Sequence, residues 1–174
     1  MKYLVKFFVV TFFLFISTHA FAEQKIVVLD MTYLLNQSTA GKGAQDHLKK
    51  AFDSNLKKFA EIEKSLKKEE TDLLTKKNVL SNEEYAKKIN SLRKKNMDYQ
   101  TDRRTAIDKI TAQRSKAREE LLKKIKPMLL NYIDENNVSL IIDKKYILGG
   151  GPKNDITKII VEKLNKELPS LNLK

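Results

Sequence analysis

The chain contains no cysteine. That excludes disulfides, thiolate metal sites and cysteine nucleophiles. Histidine is nearly absent: apart from His19 in the apolar leader there is only His47, with no histidine or cysteine companion to share a metal. Its polar setting reads as surface. The five glycines are confined to Gly41, Gly43 and Gly149–Gly151, and the three prolines are Pro127, Pro152 and Pro169. Gly41-Lys42-Gly43 has no GxxxxGK[ST] frame and is not a phosphate-binding loop. Long apolar runs are missing except for one, Phe7 to Ile16.

That run identifies the start of the chain. Lys2 and Lys6 precede and enter it, and Ala20-Phe21-Ala22 follows. A basic start, a short apolar core and an Ala-x-Ala end predict a secretory signal peptide over residues 1–22, cleaved after Ala22. The run is too short for a comfortable membrane span. No cysteine flanks the cut to carry a lipid. Removing Lys2 and Lys6 lowers the formal charge from +12 to +10.

The scarcity of helix breakers has a purpose. From about Gly43 to Asn136 the chain reads as a helical hairpin, an arm, with its reversal near residues 79–82. Phe52, Phe59, Leu66, Leu73 and Leu80 recur every seven residues, which sets one helix along another. Ser81 with Glu84 forms a capping-box pattern, and Leu80 with Tyr85 a hydrophobic staple. The return continues through Tyr85, Ile89, Leu92, Asn96, Tyr99, Arg103, Ala106 and Ile110 at alternating spacings of four and three. About 55 helical residues at 1.5 Å each would reach roughly 80 Å. The accompanying column, Leu48, Asn55, Ile62, Glu69 and Lys76, turns polar toward the tip. The far seam is therefore weak, because helix stability comes mainly from a packed apolar face.

Residues 23–42 and 137–174 supply a β-rich base. Lys25–Leu29 and Val138–Asp143 read as strands, and Met31–Asn36 as a short helix. Ser38–Gly43 reads as the joint before the arm. Pro127 is expected to interrupt and bend the returning helix. Lys144-Lys145 connects tightly into Tyr146-Ile147-Leu148, and Gly149–Pro152 is a loop. Asn154 or Asp155 then caps a last amphipathic helix bearing Ile156, Ile159, Ile160 and Leu164, ended by Pro169. Two or three short strands cannot stand alone, so several copies must share a sheet or barrel. The candidates for contacts between chains are Ile26, Val28, Leu140, Ile141, Ile142, Tyr146, Ile147, Leu148 and Ile159. The residues do not fix the number of copies.

Nothing reads as catalytic. Ser81 has no neighbouring base, and Asp30 and Asp143 each end a strand beside lysines or a helix start. Charge is more informative. Between Lys87 and Arg118 eleven basic residues face only Asp98, Asp102 and Asp108, a net +8. The candidate ligand-contacting set is Lys87, Lys88, Arg93, Lys94, Lys95, Arg103, Arg104, Lys109, Arg114, Lys116 and Arg118, interleaved with Tyr85, Ile89, Met97 and Tyr99. Such a surface steers acidic partners, and its long stems offer apolar area. A plain solvated face and a coiled-coil spacer remain open alternatives. So does nucleic acid, which a basic stripe attracts. The signal peptide, and the lack of a recognition helix, zinc finger or stacking sheet, set nucleic acid aside as a physiological partner.

The opening Lys25-Ile26-Val27-Val28-Leu29-Asp30, the arm, the ending Leu140–Leu148 and Asp155-Ile156-Thr157 together resemble the Skp/OmpH family of periplasmic chaperones. The resemblance spans essentially all of the chain after the leader. It implies an α+β, mainly helical fold: a jellyfish-like homotrimer with a small β-barrel body and long antiparallel coiled-coil arms around a cavity. It implies cofactor-free, ATP-independent holding of unfolded outer-membrane proteins in the periplasm. A basic patch for lipopolysaccharide or an anionic membrane surface is also implied, for which Arg93, Lys94 and Lys95 offer several alignments. The competing reading is a structural coiled-coil protein of the envelope.

Overall fold

A computed structural model describes residues 24–173, so the expected leader lies outside the described residues. The β-branched run Ile26–Leu29 forms strand β1. Asp30 ends it and starts helix α1, Met31–Gln37, because its carboxylate Oδ1 accepts from the Tyr33 N–H at 2.7 Å. Ser38 closes α1 and opens helix α2, Thr39–Thr75, accepting from the Gly41 N–H at 3.2 Å. The expected joint at residues 38–43 is thus the first turn of the arm. Gly41 permits this: a Cβ there would fall on the Leu35 carbonyl oxygen.

The chain turns over residues 76–80, and helix α3 then runs from Asn82 to Asn136. Its start is the expected capping box. The Glu84 N–H donates to Ser81 Oγ at 3.3 Å, and the Ser81 N–H donates to Glu84 Oε2 at 3.2 Å. Bonds to the Ser81 backbone and side chain hold Glu84 below its ordinary pKa, although desolvation opposes them. Pro127 lies inside α3 without ending it. The buried Ile125 and Met128 on either side fix that stretch to the core, so tertiary packing overrides the lost backbone bond.

α2 and α3 pair antiparallel, with Phe59, Leu66, Leu73, Leu92 and Tyr99 buried in one cluster toward the tip. On the returning column Tyr85, Ile89, Leu92, Tyr99, Ala106 and Ile110 turn inward as expected, while Asn96 and Arg103 are exposed, and the outgoing column departs from its heptad at the base. Phe52 is 45% exposed, and Ala44, Leu48 and half-buried Ala51 take the seam instead. The seam steps Leu48, Ala51, Asn55 and Phe59 contain two successive spacings of four. That extra step is a stutter, which locally unwinds the pair and rotates Phe52 outward.

α3 overhangs α2, and its last turns belong to the base. Leu121, Ile125 and Met128 join Val27, Leu29, Leu34, Val138, Ile156, Ile160 and Leu164 in the core, so the end of the segment 43–136 that reads as arm packs into the base. Asn137 ends α3 in the left-handed region at φ 51°, a conformation asparagine tolerates. Strand β2 is Leu140–Asp143, shorter than the expected Val138–Asp143, because Val138 N–H still bonds the Ile133 carbonyl at 3.1 Å.

β2 pairs with β1 in parallel, Ile26 opposite Leu140 and Leu29 opposite Asp143. The two-stranded sheet is not the closed barrel expected of the body. Tyr146–Leu148 adds no strand. Asp143 Oδ1 accepts from the Lys145 N–H at 3.2 Å, turning Lys144–Tyr146 into a 3₁₀ helix. A second 3₁₀ turn, Pro152–Asn154, leads to helix α4, Thr157–Glu167. The N-cap is Ile156, not the expected Asn154 or Asp155, and makes no side-chain cap; Asp155 Oδ1, one residue before it, accepts from the Thr157 N–H at 2.9 Å.

Candidate functional site

The Asp155-Ile156-Thr157 run ties three elements together. The Ile156 N–H donates to the Val28 carbonyl at 2.9 Å, extending the sheet beyond β1. The Thr157 hydroxyl accepts from the Asp30 N–H at 2.8 Å. Asp155 Oδ2 receives the Lys144 ammonium at 2.8 Å. Partial burial would raise the Asp155 pKa, but Lys144 and the Thr157 hydroxyl and N–H outweigh it and hold it at about 2. The same bond raises Lys144. Asp30 and Asp143 each cap a helical turn, and Lys145 pairs with Asp143 at 3.4 Å. They form no free carboxylate pair.

The sheet has two unlike faces. Val27, Leu29 and Ile141 turn toward the core, whereas Ile26, Val28, Leu140 and Ile142 turn outward. Ile26 and Leu140 are exposed, as are Leu148, Ile159 and Tyr146, the last at 75%. An apolar second face on a small sheet is what one chain leaves uncovered. Beside it a cleft of about 660 Å³ is floored by Val28 and Ile147 and edged by the glycine loop and Lys158. Of the candidates for contacts between chains, Ile141 alone belongs to the chain's own core.

On the arm, all eleven basic residues between Lys87 and Arg118 are exposed. Lys95 crosses to Glu69, with its ammonium 2.7 and 2.8 Å from the two carboxylate oxygens. The interleaved apolar groups separate into two kinds. Met97 is exposed, but Tyr99 is only 7% exposed and meets the Phe59 ring edge-on, centroids 6.0 Å apart. Its hydroxyl lies 3.4 Å from Glu63 Oε2. Lys67 chiefly, with that hydroxyl adding to it, holds Glu63 below its ordinary pKa. Tyr85 and Ile89 are half-buried in the same cluster. These three side chains, grouped with the contact candidates, serve the seam.

Sequence reasoning missed other exposed apolar side chains: Phe52, Leu56, Leu74, Val79 and Ile107. Phe52 and Leu56 follow each other by four, which is a readable signal once Leu48 and Ala51 are assigned to the seam. The stutter also opens a groove of about 620 Å³ at the arm's base. Phe52, Leu48, Ile110 and Ala117 line it, with Arg114 and Arg118 at its rim.

A model for the family of OmpH-like outer membrane proteins matches residues 25–164. The chain belongs to this family. A Skp-like protein of Pseudomonas aeruginosa is 25% identical over 170 residues, covering 95% of this chain and 99% of the relative. The fold is that of an OmpH-like protein from Caulobacter crescentus proposed to be an outer membrane chaperone. That crystal structure superposes with a TM-score of 0.78 at 18% identity, covering 90% of this chain and 92% of the other. The family match begins at Lys25 and ends in α4, so it includes the sheet, the hairpin and the Asp155-Ile156-Thr157 clasp.

Proposed function

We propose that this chain is a periplasmic holding chaperone, exported by a signal peptide cleaved after Ala22, that keeps unfolded outer-membrane proteins from aggregating without ATP or another cofactor. It works as a homotrimer, three sheets sharing their outer apolar faces and three arms enclosing the client. The observation that carries this reading is the α3 surface in an OmpH-like fold: eleven exposed cations against three acidic residues between Lys87 and Arg118, with Met97 and Ile107 exposed among them.

The mechanism is weak contact repeated many times. Charge on Lys87, Arg93, Arg104, Lys109, Arg114 and Arg118 draws acidic unfolded chains toward the arm. Met97, Ile107 and the lysine and arginine stems then cover apolar client groups transiently. Three arms acting together hold tightly while each contact stays easily broken, so a client leaves when it gains a better folding site. Lipopolysaccharide or an anionic membrane surface is a second ligand of the same charge at the tip, near Arg93, Lys94 and Lys95.

The test is light scattering of an unfolded outer-membrane protein diluted from urea, with and without the purified chain, over a range of salt. Holding should weaken with salt yet persist, since charge attraction is screened beyond about 8 Å at physiological ionic strength whereas apolar burial is not. Duplex DNA titrated over the same range is the control. Tighter binding of DNA at physiological salt would favour the nucleic-acid alternative, and no suppression of scattering would leave a structural coiled coil.

A further inference from the structure

After α4 the chain does not stop at the body. Pro169 prevents the helix from continuing, and the segment Ser170–Leu173 returns along the base of the arm. Leu173 is only 8% exposed. It packs against Ala44, Leu48, Ile110 and Ala117 in the α2–α3 seam, and Leu171 bridges this cluster to the body core. Asn172 between them is exposed. That alternation is the pattern of an extended strand. The Gln113 amide Nε2 donates to the Leu173 carbonyl at 2.8 Å, as a strand-reading side chain would.

Small residues make the seat. Alanine at 44, 51 and 117 leaves room at the base, whereas the cluster toward the tip is leucine, isoleucine, phenylalanine and tyrosine with Ala106 its one small member. The seat takes two apolar side chains at alternate positions and one backbone carbonyl between two helices.

We propose that the base of the α2–α3 seam is a binding site for extended peptide segments with apolar residues at alternate positions, occupied here by the chain's own tail. A client strand of that pattern exchanges with the tail. The identification of the exchanging ligand rests on the chaperone reading, because transmembrane β-strands alternate apolar and polar residues. The tail then acts as a tethered competitor, keeping an apolar seat covered until a strand of the same chemistry arrives.

The experiment uses a fluorescent peptide with the sequence of residues 167–174 and the full-length protein. Leu171→Ser with Leu173→Ser removes the tail's anchors and leaves the seat intact. The peptide should bind this variant at least about tenfold more tightly than the unaltered chain, where the tethered tail competes at an effective concentration of order millimolar. A peptide of the same composition with its leucines adjacent should not bind, and Ala117→Leu in the same background should abolish binding. Equal binding to both proteins, binding to neither, or binding that survives Ala117→Leu would overturn the proposal. Should the double variant lose helical signal, Leu173→Ala alone weakens the tail and leaves the seat, Gln113 included, intact, and absence of any gain in peptide binding there also overturns it. The two readings separate cleanly. A chain that suppresses client aggregation but shows no peptide exchange keeps the chaperone function and loses the seat; exchange without suppression does the reverse.

Discussion

At the residue scale, Gly41 and Asp155 do the most for their size. Gly41 lets the first turn of α2 lie against the Leu35 carbonyl. Gly41→Ala puts a methyl on backbone rather than on a yielding side chain, so α1 and α2 must separate. The expected cost is about 1–3 kcal/mol, the range of overpacking, read as a lower urea midpoint. Gly43→Ala is the control, since its Cβ would meet open space and alanine favours helix. It should be neutral or stabilising. Asp155 gives a pH dependence. Its folded pKa is depressed from 3.8 to about 2, so its contribution is present above pH 3.8 and is lost as pH falls through about 2. The difference is about 2 kcal/mol at most. Urea midpoints measured at pH 5 and pH 2.5 should therefore fall more for the natural chain than for Asp155→Asn. Parallel slopes would leave the clasp without energetic weight.

At the element scale the capping box and the seam differ in how openly they are written. Ser81, Glu84 and the heptads from Phe59 to Leu73 act over one or two turns, and the sequence pattern identifies them. Helix start, reversal and returning column are where local spacing puts them. Phe52 is different: it continues the heptad on paper, and only its neighbours reveal the change. Ala44, Leu48 and Ala51 take the seam at the base, where Leu173 of the tail packs against the same cluster and Phe52 is left outside it. Likewise the parallel pairing of β1 with β2 joins residues more than a hundred apart in sequence, as Ile26 with Leu140, and Pro127 is accommodated through core neighbours of Ile125 and Met128 on other elements. The exposed arm cations were legible as charge. Which apolar side chains stand free between them was not, since Tyr99 and Met97 occupy similar places in the sequence until the partner helix is present. Ser81→Ala should reduce stability by about 1 kcal/mol and fray the arm's tip first. Hydrogen exchange would show faster amides at Glu83–Tyr85 with the core of α3 near Ile125 unchanged; uniform loss along α3 would contradict a local cap.

At the scale of the whole molecule, the proposed function puts assembly and capture on different parts of the chain. The outward face of Ile26, Leu140 and Ile159 lies at the base, far from Leu73 and Tyr85 near the tip. Shortening the arm therefore should not disturb the association of chains. Leu66, Leu73, Tyr85 and Leu92 share one cluster, and Phe59 meets Tyr99 across the seam, so removing residues 66–72 together with residues 86–92 takes seven residues from each helix and keeps the heptad phase of each. Each arm loses about 10 Å. Sedimentation equilibrium should return the trimer mass for both proteins. In light scattering the shortened protein should protect small clients as well as the natural one and large clients less, because a shallower cavity leaves more of a large client uncovered. Equal protection of both sizes by an intact shortened trimer would mean that clients adhere to single arms, with Met97, Ile107 and the cation stems sufficient for holding. A monomer in both proteins would instead move the fault to the body, where the apolar face of the sheet would need another cover.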